Sequence, residues 1–178
     1  ASNELLLSRS IEEKDTNRIA YSYYYKGSVK FNEDIRDSAF YYFLKAEKLF
    51  LKSNETKVLA DLFLSKSSIQ LSYIDFLGAE YSATQSLKFA RINNDKLGQY
   101  DALTNLGIAS HSSENFTKAI EYHLQALNLA KENNLNPEFF LQEISLNNIG
   151  NCYLYLKEYL SASVQFQKAL LNSRLAKE

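Results

Sequence analysis

The sequence holds no methionine, one proline, one cysteine and five glycines among 178 residues. Each shortage excludes something. With Cys152 alone, neither an internal disulfide nor a cysteine-based zinc site can form, and the lone thiol suits a cytoplasmic or a periplasmic chain alike. Proline and glycine break helices, so their scarcity points to helix throughout. Methionine is missing even at position 1, which reads as a segment excised from a longer protein, with Ala1 as a tag scar. Apolar runs are short, as in Leu5-Leu6-Leu7, far below the ~18 residues of a membrane span. No signal peptide is visible. The 20 basic and 21 acidic residues leave a net charge of -1. No dense Lys/Arg block marks a nucleic-acid partner.

Catalytic and metal-binding patterns are missing too. His111 and His123 are the only histidines, twelve positions apart, which is not the i, i+4 spacing of a helical metal pair. Cys152 has no histidine pattern nearby to make it a nucleophile and reads as a small buried hydrophobe. No glycine-rich phosphate loop follows a strand, and no strand is predicted. The sequence therefore reads as a non-enzyme without cofactor or metal.

What is present is repetition. One column of small residues holds Ala39, Ala79, Ala119 and Ala162. Seven positions later comes a second, Ala46, Ser86, Ala126 and Ala169. Twelve positions before the first lies a third, Gly27, Ser67, Gly107 and Gly150. The period is 40, 40 and then 43 residues. Small residues at fixed points let helices approach closely, and larger ones would force them apart. Between the columns apolar residues follow helical spacing: Leu103, Leu106, Phe116, Ile120, Leu124, Leu127 and Leu129 in one repeat, and Leu146, Ile149, Tyr153, Tyr159, Val164, Phe166 and Leu170 in the next. Helices are predicted over 18–32, 36–53, 57–73, 76–92, 96–112, 116–133, 138–156 and 159–176. Asn136-Pro137 places a cap residue before a proline at a first helical position. Asn54, Asn94-Asp95 and Asn115 are expected to cap other helices.

The columns resemble the tetratricopeptide repeat (TPR) family. Leu146-x-x-Ile149-Gly150-x-x-Tyr153, followed by Ala162, Phe166 and Ala169, carries the family pattern most fully. The first repeat keeps Tyr23, Gly27, Ala39, Phe43 and Ala46. The second departs from it, with Ser67 for Gly, Ala83 for the aromatic and Lys66 for Leu. The resemblance covers residues 18–178 and implies an all-α fold: a right-handed superhelix of antiparallel helix pairs, an α-α solenoid of four repeats plus a partial N-terminal helix. The expected divisions are 1–17 as the remnant second helix of a preceding repeat, then repeats at 18–56, 57–95, 96–137 and 138–178. Helix is expected over 3–13 in that remnant. Arrays need polar caps at their ends, and neither end here looks capped. Excision from a longer array, or a homodimer through the uncapped ends, is the expectation.

The period and the stretch Ile19 to Gly27 resemble the TPR segments of bacterial signalling proteins, histidine kinases or helix-turn-helix regulators, and more distantly Rap-type peptide-binding regulators. That resemblance implies a sensory or regulatory module binding an extended peptide or protein segment in its concave groove. A spacer or dimerisation scaffold with no ligand is the alternative. The groove residues it implies are Asn105, Asn148, Asn151, Asn147, Tyr21, Tyr24, Tyr25, Asp101 and His111. An Asn amide both donates and accepts, and so can pair with a peptide backbone; bonding to its own neighbours is the other use of such an Asn. The family's carboxylate clamp needs Lys and Arg beside such asparagines, and these columns hold none. The tyrosines suit an apolar or uncharged segment, although repeat packing also employs them. His123 falls in the aromatic packing column and is expected in the core. His111 is expected on the groove side, with titration near neutrality as one reading and plain surface solvation as the default.

Overall fold

The computed structural model describes residues 8, 10, 11, 15–133, 135 and 139–175. Eight helices follow one another: α1 (Thr16–Asn32), α2 (Arg36–Ser53), α3 (Thr56–Ser72), α4 (Phe76–Ile92), α5 (Lys96–Ser112), α6 (Phe116–Glu132), α7 (Phe139–Tyr155) and α8 (Tyr159–Leu175). The predicted bounds agree with these to within two residues. Ser8, Ser10 and Ile11 are helical; the rest of the expected helix over 3–13, and Asn136-Pro137, lie outside the described residues.

The helices pack as consecutive hairpins, α1 on α2, α3 on α4, α5 on α6 and α7 on α8, and each hairpin stacks on the next. Among the odd-numbered helices, α3 approaches α5 and α5 approaches α7, while among the described residues the even-numbered helices make no comparable approach to one another. The odd-numbered helices therefore form the inner, concave side of an all-α solenoid.

The small columns are where the helices meet. Ala39, Ala79, Ala119 and Ala162 are completely buried, and Ala46, Ser86, Ala126 and Ala169 are at most 2% exposed. The glycine column has a sharper cause. A Cβ on Gly27 would lie 2.7 Å from the Phe43 ring, one on Gly107 2.6 Å from His123 Nε2, and one on Gly150 2.5 Å from the Phe166 ring. Each glycine is the floor under a ring sixteen residues on. Where that ring is missing, at Ala83, the glycine is replaced by Ser67, whose hydroxyl donates to the Ala79 carbonyl at 3.2 Å. The second repeat thus departs from the pattern in two columns at once because the two columns touch.

Lys66 occupies a core position that holds Leu106 and Ile149 in later repeats. It is 5% exposed. Its Nζ lies 2.5 Å from Glu47 Oε2 of α2 and over the Phe40 and Phe63 rings at 5.4 and 5.1 Å. A buried charge needs such a partner.

Several expectations are corrected. Asn115 and Asp95 do cap α6 and α5, accepting from Lys118 N–H at 3.3 Å and Gly98 N–H at 3.0 Å. Asn54 does not cap α3; it is the left-handed C-cap of α2 at φ 58°, and Asn94 is likewise left-handed at 53°. Asn tolerates that conformation, which ends a helix as readily as its side chain starts one. Asp15 and Asp75 cap α1 and α4 instead. Leu124, Tyr159, Val164 and Leu170, read as apolar positions at helical spacing, are 42%, 66%, 46% and 53% exposed. The last three are on α8, which has no following helix stacked on it among the described residues.

Candidate functional site

The candidate groove residues stand on the odd-numbered helices α1, α5 and α7, half-buried or exposed. On α1 these are Tyr21, Tyr24 and Tyr25; on α5, Asp101, Thr104, Asn105 and Ile108; on α7, Ile144, Asn147, Asn148 and Asn151. Offsets of three, four and seven keep each set on one helix face.

The three tyrosines form a wall. Tyr21 and Tyr25 stack at 6.1 Å between ring centroids, and Tyr21 meets the buried Phe50 edge-on at 5.0 Å. Tyr24 leans on Phe43 at 6.1 Å and Phe50 at 6.3 Å. Tyr25 is 52% exposed. Packing and presentation therefore divide within one turn: Tyr21 and Tyr24 anchor the wall, and Tyr25 offers its ring to solvent.

Next to this wall the face turns acidic. Burial, with the nearby charge of Asp95 second, pushes the Asp101 carboxyl up to about 6. Asp61 on α3 is raised by burial and then by Asp95, with Lys57 opposing. The Tyr24 phenol is raised by burial first and by Asp61 second, so the tyrosines and the carboxylates share one field.

The asparagines divide. Asn105 donates through Nδ2 to Ser67 Oγ at 3.3 Å and Ser68 Oγ at 3.2 Å, tying α5 to α3. Its amide is engaged by its neighbours, the structural use of such a residue. No hydrogen bond among the described residues engages the side chains of Asn147, Asn148 or Asn151. Asn147 and Asn148 are half-buried and Asn151 is exposed.

His111 is not a solvated imidazole. It meets Phe116 and Tyr155 edge-on, each at 5.4 Å, and those two rings stack on one another at 4.7 Å and 6°. Its Nε2 is buried without a hydrogen-bond partner. Burial disfavours the charged imidazole and moves its pKa below the ordinary 6.5. His111, Asn151, Leu154 and Tyr155 line a cavity of about 420 Å3 at the end of the face. His123 and Cys152 are core residues, both 0% exposed. Burial holds His123 down to about 4 and lifts the Cys152 thiol to about 11.

Sequence reasoning missed the Phe116–Tyr155 pair beside His111. Tyr155 belongs to no repeating column. Phe116 does, since helices α4, α6 and α8 open on Phe76, Phe116 and Tyr159, and that run of aromatic first residues was a signal.

Residues 98–170 match the sequence family described as Tetratricopeptide repeat. They are tetratricopeptide repeats. The rest of the chain shares the TPR fold with solved structures. One is a Signal Transduction ATPase with Numerous Domains (STAND) protein with a TPR sensor, from Pyrococcus horikoshii, at 22% identity and TM-score 0.78; the alignment covers 92% of this chain and 25% of that one. Another is the TPR domain of Arabidopsis FLU, at 19% identity and TM-score 0.63, covering 69% of this chain and 99% of that domain. RapI in its apo form aligns at 25% identity and TM-score 0.79 over 89% of this chain and 57% of its own. A Rap protein complexed with competence and sporulation factor aligns at 17% identity and TM-score 0.72 over 90% and 44%. The chain thus spans a quarter of the STAND protein and under two thirds of either Rap protein. No curated protein sequence matches it. A TPR array is a protein-interaction fold, and among the described residues no helix is long and apolar enough to cross a membrane.

Proposed function

We propose that the chain is the sensory or regulatory binding module of a signalling protein and takes an extended peptide or protein segment along its concave face. The division into a remnant helix at 1–17 and repeats at 18–56, 57–95, 96–137 and 138–178 belongs to this reading. The observation that carries it is the row of amides on α7, Asn147, Asn148 and Asn151, unengaged among the described residues, the first two in the columns that on α1 hold Tyr24 and Tyr25. Amides can pair with a peptide backbone while aromatic rings hold its side chains. The STAND sensor and the Rap complex support it as relatives in fold. Asn105 belongs to the scaffold in this reading, and Asp101 supplies a weakly acidic rim.

The experiment is a thermal-shift screen against short peptides, followed by titration calorimetry of any peptide that raises the melting temperature saturably. Asn148→Ala with Asn151→Ala is expected to weaken binding on the order of 5- to 150-fold, a hydrogen bond each being worth ~0.5–1.5 kcal/mol. Unchanged affinity removes the groove assignment.

A scaffold reading has its own observation. Leu160, Leu170 and Leu171 on α8 are 87%, 53% and 57% exposed, and such a surface suits self-association. Light scattering that finds one monomeric mass across the concentration range eliminates that reading.

A further inference from the structure

We propose that the recess at the turn edge between α4, α6 and α7 is a binding site for an organic cation, a guanidinium or a quaternary ammonium group. The recess has a volume of about 440 Å3 and is lined by Phe76, His111, Ser112, Glu114, Phe116 and Tyr155. Three aromatic side chains come to it from three helices: Phe76 opens α4, Phe116 opens α6 and Tyr155 closes α7. Aromatic faces carry negative potential and attract cations placed over them. Phe116 and Tyr155 lie parallel at 4.7 Å, and His111 braces both edge-on. Tyr155, 63% exposed, keeps aromatic surface free for a ligand.

Charge complements the rings. Glu114, exposed in the turn before α6, is the one charged side chain among the described lining residues. The imidazole of His111 adds no positive charge, since burial disfavours its protonation. Lys118, two residues after Phe116, is bound by Glu80 Oε1 at 2.6 Å. Lys157, two residues past Tyr155, is exposed but does not line the recess. An anion would meet a carboxylate and the negative ring faces, and a neutral apolar group would leave the carboxylate unused. The site does not depend on peptide binding in the groove, and a small free cation tests it alone.

The experiment follows backbone amide shifts of the 15N-labelled chain during titration with tetramethylammonium chloride, with N-acetylarginine amide, and with tert-butanol as a neutral analogue, at constant ionic strength. The expected result is a saturable shift of Ser112, Glu114, Phe116 and Tyr155 with a cation and not with tert-butanol. Stronger binding of tetramethylammonium assigns the site to a free quaternary amine; stronger binding of the arginine amide assigns it to an arginine side chain. Tyr155→Leu and Glu114→Gln each weaken the cation on the order of 3- to 30-fold. Both residues are exposed, and circular dichroism verifies that the variants fold. The proposal is overturned if neither cation gives a saturable shift, if tert-butanol shifts the same amides equally, or if both folded variants bind as well as the parent.

Discussion

Replacing Asp101 by Asn should change how stability depends on pH, and His123 sets the comparison. Burial raises the Asp101 carboxyl from 3.8 to about 6. Each pKa unit corresponds to ~1.4 kcal/mol, so ionising Asp101 within the fold costs about 3 kcal/mol, reduced toward about 2 by its partial exposure. Between these two pKa values the folded chain holds a proton that the unfolded chain has released. Stability therefore falls as pH rises through this window. His123 acts in the opposite sense. Burial lowers it from 6.5 to about 4, so the unfolded chain takes up a proton that the fold refuses, and stability falls by about 3 kcal/mol as pH drops through that window.

The two windows overlap, and the parent protein should show a nearly level profile. Asp101→Asn leaves the histidine alone, so the variant should gain stability by about 3 kcal/mol as pH rises from about 4 to 7, and exceed the parent by about 2 kcal/mol at neutral pH. His123→Phe leaves the aspartate alone and should slope the other way; Phe43 and Phe166 already place that ring over a glycine in this column. Urea unfolding followed by circular dichroism across the range measures all three profiles. Profiles for both variants that run parallel to the parent would refute the reasoning.

Two further outcomes follow from the packing. Ile74 is a β-branched residue at φ 63° and is 73% exposed. Ile74→Asn removes a left-handed strain of ~1–2 kcal/mol and loses little burial, so the melting temperature should rise by roughly 2–6 °C; calorimetry checks it, and a fall counts against strain at this turn. Lys66→Met strands the Glu47 carboxylate and should cost about 3 kcal/mol, whereas Lys66→Met with Glu47→Leu should recover most of it; denaturant unfolding of both variants measures the difference.

The fold was legible because its rule is local and repeated. Small residues mark where helices touch, and four copies of one spacing left no other architecture. Even the irregular second repeat can be understood from the sequence once Gly27, Gly107 and Gly150 are paired with Phe43, His123 and Phe166: Ser67 and Ala83 change together. Helix caps were less legible, since Asn54 and Asn94 stand at boundaries where the same residue type can start a helix or end one, and only the backbone φ decides. The candidate site was legible as a set of positions and not as a set of roles. Asn105 and Asn148 occupy one column, yet Asn105 finds hydroxyls on Ser67 and Ser68 across the helix junction. At Asn148 the same column of the preceding helix offers Gly107 and Ile108, neither with a side-chain hydroxyl. Spacing cannot reveal a partner that lies on another helix. Tyr155 escaped for the same reason, because its stack with Phe116 joins two hairpins.

The first junction of the array differs from the others in a way that bears on the groove. Among the described residues, α1 approaches α3 less than α3 approaches α5. There Tyr21 and Tyr24 of α1 rest on Phe50 of α2. At the same junction, the buried Lys66–Glu47 pair adds to the apolar cluster that α2 and α3 share. An ion pair is more demanding of geometry than apolar packing, because a small slide leaves a charge unpaired, whereas Leu against Ile tolerates one. The aromatic wall hangs on α1, which packs on α2, so the Lys66–Glu47 pair is one of the links that position it relative to Asp61 and Asp101.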